Sequence, residues 1–366
     1  MAFRPRYKSV YCGPQEQGLY LTMAMTSLGC SGKTKNDLLK ALKLPEYRNE
    51  YEVHAATGAL LNRGLQPSGY LHVHAAHRLF VLNRADVGTR YVKDVFKYYT
   101  AKWEDLSNMK DNDTKRRHIN DWVGKMTQYN IQDLLPLSSI TEDTIFTMVD
   151  ALYVKGIWRD HFPKQCTTTA PFYRENGPAM VVKMMSTEGL YQIHELPEAK
   201  ARMIKIPLGN PDWQYLIVVP NEVSGLRGVM SYLATGNHLI DLISTQNKLA
   251  FVRLNLPRFK VGDEPSMNIK RLLCSIGASS VFQKQGNEMS GICRHPSACM
   301  SDIFHKVVLE VNEDGNELIQ SGAVPPTSPL GLPMVEFCVN RPFLLAVVYN
   351  ERIPVFMGYI MSPNSR

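Results

Sequence analysis

The stretch Val149-Asp150-Ala151-Leu152-Tyr153-Val154-Lys155-Gly156-Ile157-Trp158 lies where the chain changes character. From Phe146 to Val154 it is dense in β-branched and aromatic residues, the composition of a strand. Upstream, apolar spacing predicts mainly helices. Leu19 to Leu28 is an apolar helical run stopped near Gly29, and Thr34 to Leu42 follows, with Thr34 and Asn36 as candidate caps. Tyr91 to Trp103 and Lys115 to Leu135 repeat the helical spacing, the second burying Ile119, Trp122, Val123, Met126 and Ile131. Downstream, Ala201 to Pro207, Tyr215 to Pro220, Leu249 to Leu256 and Val307 to Val311 predict strands, and Phe343 to Ile360 predicts a closing hairpin around Asn350-Glu351. Helices first and antiparallel-looking strands later indicate an α+β fold, one domain over residues 1–366, rather than alternating βαβ units.

Composition narrows the function classes. With 366 residues, 44% hydrophobic and 20% charged, the chain is neither disordered nor fibrous. No run approaches the roughly 18 apolar residues of a membrane span, so no membrane partner is expected. The net charge of +7 is mild for this length and reads as a scattered solvated surface, with a polyanion-binding face as the alternative. The densest basic cluster, Lys115 to His118, follows Asp111 and Asp113 and reads as a helix start; it has no aromatic platform for nucleic acid. Seven cysteines lack metal-ligand spacing and suit free thiols in a reducing compartment. Met1 to Ser9 carries Arg4, Arg6 and Lys8 and no apolar signal core, so a cytosolic protein is expected, or a secreted one if the true amino terminus is missing.

Catalytic chemistry is not evident. His72, His74 and His77 alternate and then slip, but no carboxylate or cysteine nearby in sequence completes a metal site, so a structural or surface role is expected. There is no Gly-rich phosphate loop after a strand and no Gly-x-Ser-x-Gly. No enzyme activity, metal or cofactor is expected. One segment does break the strand pattern: between Gly315 and Pro333 stand Gly322, Pro325, Pro326, Pro329 and Gly331. A long loop of this kind inside a compact domain is usually functional or disordered.

Dispersed segments together resemble the serpin family of serine protease inhibitors. Val149 to Trp158, with Phe162 four residues later, is similar to the strand that ends at a buried tryptophan. Val182-Lys183-Met184-Met185 and Leu256-Pro257-Arg258-Phe259-Lys260 are similar to two later strands. His305 to Gly315 resembles the strand leading into the reactive loop, and Asn340-Arg341-Pro342-Phe343 with Pro354-Val355-Phe356-Met357-Gly358 resembles the carboxy-terminal signature. The order holds from Val10 to Pro363. The resemblance implies one domain of three β-sheets and about eight helices, displaying a reactive-centre loop at 315–333. In inhibitory members a protease cleaves that loop and is held as an acyl-enzyme while the loop inserts into the main sheet, using the free energy stored in a metastable native state.

The resemblance also assigns roles. Trp158 and Arg258 would stand at the breach, Arg258 matching a family lysine that faces the hinge acid Glu313. Asp150 and His305 would meet in the shutter, where the family usually has Asn in place of Asp150; a buried Asp beside His would stabilise whichever sheet state holds both together. The hinge would run through Glu313, Gly315, Asn316, Glu317, Leu318, Ile319 and Gln320. The family's usual spacing places the cleaved bond at Pro329-Leu330, with Leu330-Gly331, Leu332-Pro333 and Met334-Val335 as other registers. No Arg or Lys lies between Gly315 and Pro333, which disfavours trypsin-like targets.

Two departures temper this. Inhibitory members carry small residues after the hinge, whereas this chain has Leu318, Ile319 and Gln320 and then two prolines. The family's first helix is expected before Val10, where only Met1 to Ser9 stand, and the shutter serines expected next are replaced around Cys12 to Gly18. The sequence therefore supports two readings: a monomeric inhibitor of a serine or cysteine protease, or a non-inhibitory binding, carrier or chaperone-like member.

Overall fold

The computed structural model describes residues 11–12, 17–42, 51–52, 54–55, 58–59, 71–235, 238–245, 248–262, 269–283, 287–295, 298–314 and 333–363. In chain order the first half holds β1 (Tyr11–Cys12), α1 (Gln17–Leu28), α2 (Gly32–Ala41), β2 (Leu71–Val81), β3 (Asp86–Val87), α3 (Thr89–Tyr99), β4 (Lys102–Asp105) and α4 (Asn112–Met126). Next come β5 (Phe146–Gly156), β6 (Thr168–Phe172), β7 (Met180–Leu196), β8 (Ala201–Pro207), β9 (Trp213–Pro220), α5 (Leu226–Ala234) and α6 (His238–Ser244). The remainder is β10 (Leu249–Pro257), β11 (Phe259–Val261), α7 (Ile269–Ser275), β12 (Cys293–Arg294), β13 (Ile303–Val311), β14 (Met334–Cys338), β15 (Phe343–Tyr349) and β16 (Ile353–Ile360).

These strands form three sheets, and seven continuous helices accompany them among the described residues. The five-stranded sheet runs β11-β13-β5-β2-β4, and the larger sheet runs β1-β16-β15-β9-β8-β7-β10-β14 with β6 on β7. β5 lies at the centre of the five-stranded sheet and is buried on both faces, which explains its nearly unbroken apolar sequence. One face, through Val149, Ala151 and Tyr153, packs with Phe80 and Val308 against Ile119 and Val123 of α4. On the other, Leu152 and Val154 join Val307 and Leu309 in the core shared with the larger sheet, where Ile204, Val252 and Phe343 sit. At one end Met148 and Ile303 pack instead among α1, α3 and α7.

The fold corrects several sequence expectations. The first half is not simply helical, because β2 is an eleven-residue strand paired along its length with β5. Its apolar alternation is diluted by His72, His74 and His77, so the strand pattern is weak in sequence. Two helices end early. Thr100 takes a left-handed φ of 56° and closes α3, and Gln128 and Tyr129, at 51° and 59°, follow the end of α4. Met126 is accordingly exposed rather than buried. The hairpin at Asn350-Glu351 forms as expected, both residues having positive φ.

Candidate functional site

The site is built around a seam inside the five-stranded sheet. β13 pairs parallel with β5, from Ile303 beside Met148 to Glu310 beside Lys155, whereas β5 pairs antiparallel with β2. The chain leaves β13 after Val311 and reappears as β14 in the other sheet, pairing parallel with β10. The expected hinge residues Gly315, Asn316, Glu317, Leu318, Ile319 and Gln320, and the expected bond Pro329-Leu330, lie outside the described residues.

Trp158 stands at the end of the seam where that segment begins. It is buried, packs edge-on against Phe162 with ring centroids 5.0 Å apart, and donates its indole N–H to the Asn312 carbonyl at 2.7 Å. One residue on, buried Glu313 accepts from the Thr167 hydroxyl at 2.9 Å and faces Arg258 at 3.6 Å. Arg258 lies between β10 and β11, at the point where the chain passes from the larger sheet to the five-stranded one, and its amide bonds the Lys183 carbonyl. Its side chain is 47% exposed, so this ion pair is a weak contact. Lys155 bonds Asp314 at 2.8 Å and thereby holds that carboxyl below its ordinary range. Lys164, Lys183, Arg258, Glu313 and Asp314 border a cleft of about 410 Å³ here.

Asp150 occupies the middle of the seam. It is fully buried, and His305 across the seam places Nδ1 2.5 Å from Oδ2. The structure adds a residue that sequence reasoning set aside. His77 on β2 lies opposite Asp150 in register, with Nδ1 against Oδ1 as an ion pair without hydrogen-bond alignment. Of the three histidines of β2, Asp150 is therefore the carboxylate beside His77 alone; His74 lies on the other face of β2, its ring stacked on Tyr153. The signal in the sequence was a carboxylate in an apolar strand, which requires buried partners. Burial opposes ionisation of Asp150, but the charges of His77 and His305 and the hydrogen bond to His305 outweigh it and hold the carboxyl below its ordinary range. Removing one partner from a buried charged set of this kind costs about 3–5 kcal/mol. No group of three His, Cys, Asp or Glu arranged to hold a metal ion occurs among the described residues.

A family model described as Serpin (serine protease inhibitor) matches residues 17–363. The chain is similar to Serpin B10 of Sorex araneus, with 27% identity over 97% of this chain and 94% of that protein. It is also similar to Serpin B9 of Homo sapiens, with 27% identity over 97% and 93%. Of solved structures, uncleaved ovalbumin superposes with a TM-score of 0.81 at 24% identity, covering 97% of this chain and 93% of that one.

Proposed function

The chain belongs to the serpin family, and from that premise we propose that it inhibits a serine-type endopeptidase by presenting the segment from Gly315 to Pro333 as bait. One observation carries this reading. β13 and β5 are parallel neighbours, so a strand entering between them from the end of β13 would run antiparallel to both and could complete ladders on each side. Trp158, Arg258 and Glu313 would then guard the point where insertion begins, and Asp150 with His305 would have to part for it to proceed. The absence of Arg and Lys from the segment favours a target that cleaves after apolar residues, at Pro329-Leu330 or a neighbouring bond.

The composition of the hinge favours a second reading, in which the scaffold binds a partner without trapping it. An inserted Gln320 would bury an amide at about 1–3 kcal/mol if unpaired, and Pro325 and Pro326 would supply no ladder donors. The test is incubation with chymotrypsin-like, elastase-like and trypsin-like proteases, followed by denaturing electrophoresis. An SDS-stable complex with an apolar-specific protease is expected. Cleavage of the segment by the apolar-specific proteases with no complex would replace trapping with the second reading.

A further inference from the structure

β14 follows directly on the segment proposed as bait, and its first residue, Met334, stands at the rim of the larger sheet. The strand register sets Met334 beside Phe251 of β10, and Phe251 beside Leu190 of β7, so the three side chains form one row. Alternation puts this row on the face opposite Tyr191, Val252 and Phe337, which lie in the core. Leu249 begins β10 one row further toward the bait. Phe251 is buried, whereas Leu249, Met334 and Leu190 are 57%, 45% and 36% exposed. Apolar side chains open at adjoining positions make a patch, which scattered single exposures do not. The next row is charged. Arg253 turns to Glu188, with Nε and Nη2 at 2.9 and 2.8 Å, while Glu336 on its other side has the Asn255 amide at 3.3 Å. One guanidinium thus stands between two carboxylates, and the row is net negative.

We propose that this face, through Leu190, Leu249, Met334 and Glu336, is a second contact for the protease that takes the bait, and that it receives an apolar side chain flanked by a lysine or arginine on that protease's surface. The inference rests on the bait reading and deepens it. Chain length fixes the occupant. Leu330 precedes Met334 by four residues, so even a fully extended chain keeps the proposed bond within about 14 Å of the row. The bonds Leu330-Gly331 and Leu332-Pro333 are tethered closer still. A folded chain of about 200 residues has a radius of gyration of about 16 Å. A protease closed on any of these bonds is therefore wider than its tether, and its body overhangs the rim. Covering three open apolar side chains strengthens the encounter, and the Glu336 carboxylate steers a basic surface toward it. Selection among apolar-specific proteases then depends on the sheet as well as on the bait's own sequence.

The test is the second-order rate at which the bait is consumed, by cleavage within 315–333 or by complex formation. It is read on the full chain with chymotrypsin and a cationic elastase, and with subtilisin as a protease of unrelated surface. Leu190→Ser combined with Leu249→Ser is expected to slow the first two enzymes about tenfold, the equivalent of about 1.4 kcal/mol, and to leave subtilisin unchanged. Glu336→Lys is expected to slow them by a similar factor at low salt, the difference closing as ionic strength rises. Met334 is left in place because it lies within reach of a protease's own binding cleft. Equal slowing of subtilisin, or a Glu336→Lys effect indifferent to salt, would mean that the substitutions disturb the sheet locally, and overturns the contact. Wild-type rates in both variants overturn it too, while leaving the bait reading in place. A wild-type chain that none of the three enzymes cuts or binds within 315–333 ends the bait reading, and the contact with it.

Discussion

Trp158 and Arg258 both stand at the end of the β5–β13 seam, but their surroundings give them very different weights. The indole has almost no exposure and makes a short bond to the Asn312 carbonyl, so Trp158→Phe leaves that carbonyl without its donor and a gap beside Phe162. We expect a loss of about 2–4 kcal/mol, from the unsatisfied group together with the cavity. Arg258→Ala removes a half-exposed cation 3.6 Å from a carboxylate that keeps its bond from Thr167, and should cost under about 1 kcal/mol. Urea unfolding midpoints compare the two, and equal shifts would mean that burial does not set their weights. Trp158, Arg258, Glu313, Asp150 and His305 could be singled out in the sequence because each lies inside a motif read along the chain. His77 could not, because its role depends on the register between two strands far apart in sequence.

At the scale of elements, the interiors of helices and strands could be read from the sequence more readily than their ends. The start of α2 shows why. Sequence reasoning offered Thr34 and Asn36 as caps, but the N-cap is Ser31, whose side chain makes no capping bond. The Glu288 carboxylate does the capping, accepting from the Lys33 amide at 3.1 Å and from the amide and hydroxyl of Thr34 at 2.8 and 2.7 Å. These bonds hold its carboxyl below the usual range. A cap supplied from so far along the chain leaves no local signature. α4 makes the contrast: Asp111, a near neighbour in sequence, accepts from the Thr114 amide, so its start was legible. Glu288→Ala should lower stability, as loss of a cap does, and should raise amide exchange in 32–36 more than in α4. Unchanged exchange in that first turn would show that the carboxylate is not holding it.

The whole molecule raises the question of whether the seam can accept another strand. The α+β class was legible because helical and strand textures segregate. The extent of the five-stranded sheet was not, because the histidines of β2 disguise a strand that pairs β5 from Leu71 to Val81. β5 and β13 now share eight paired positions, and insertion must give up that ladder for two new ones. In an inserted strand Asn316, Leu318 and Gln320 would share one face, so a crowded side chain and an amide would both have to be accommodated. We therefore expect cleavage within 315–332 to raise the melting temperature of the wild-type protein only slightly. Replacing Leu318, Ile319 and Gln320 together with alanine removes the amide and the bulk, so the cleaved triple variant should gain more than the cleaved wild type. Calorimetry before and after limited proteolysis, with the cut located by terminal sequencing, makes the comparison. A large rise for cleaved wild type would show that the seam accepts this hinge as it stands, and would favour trapping over the binding role.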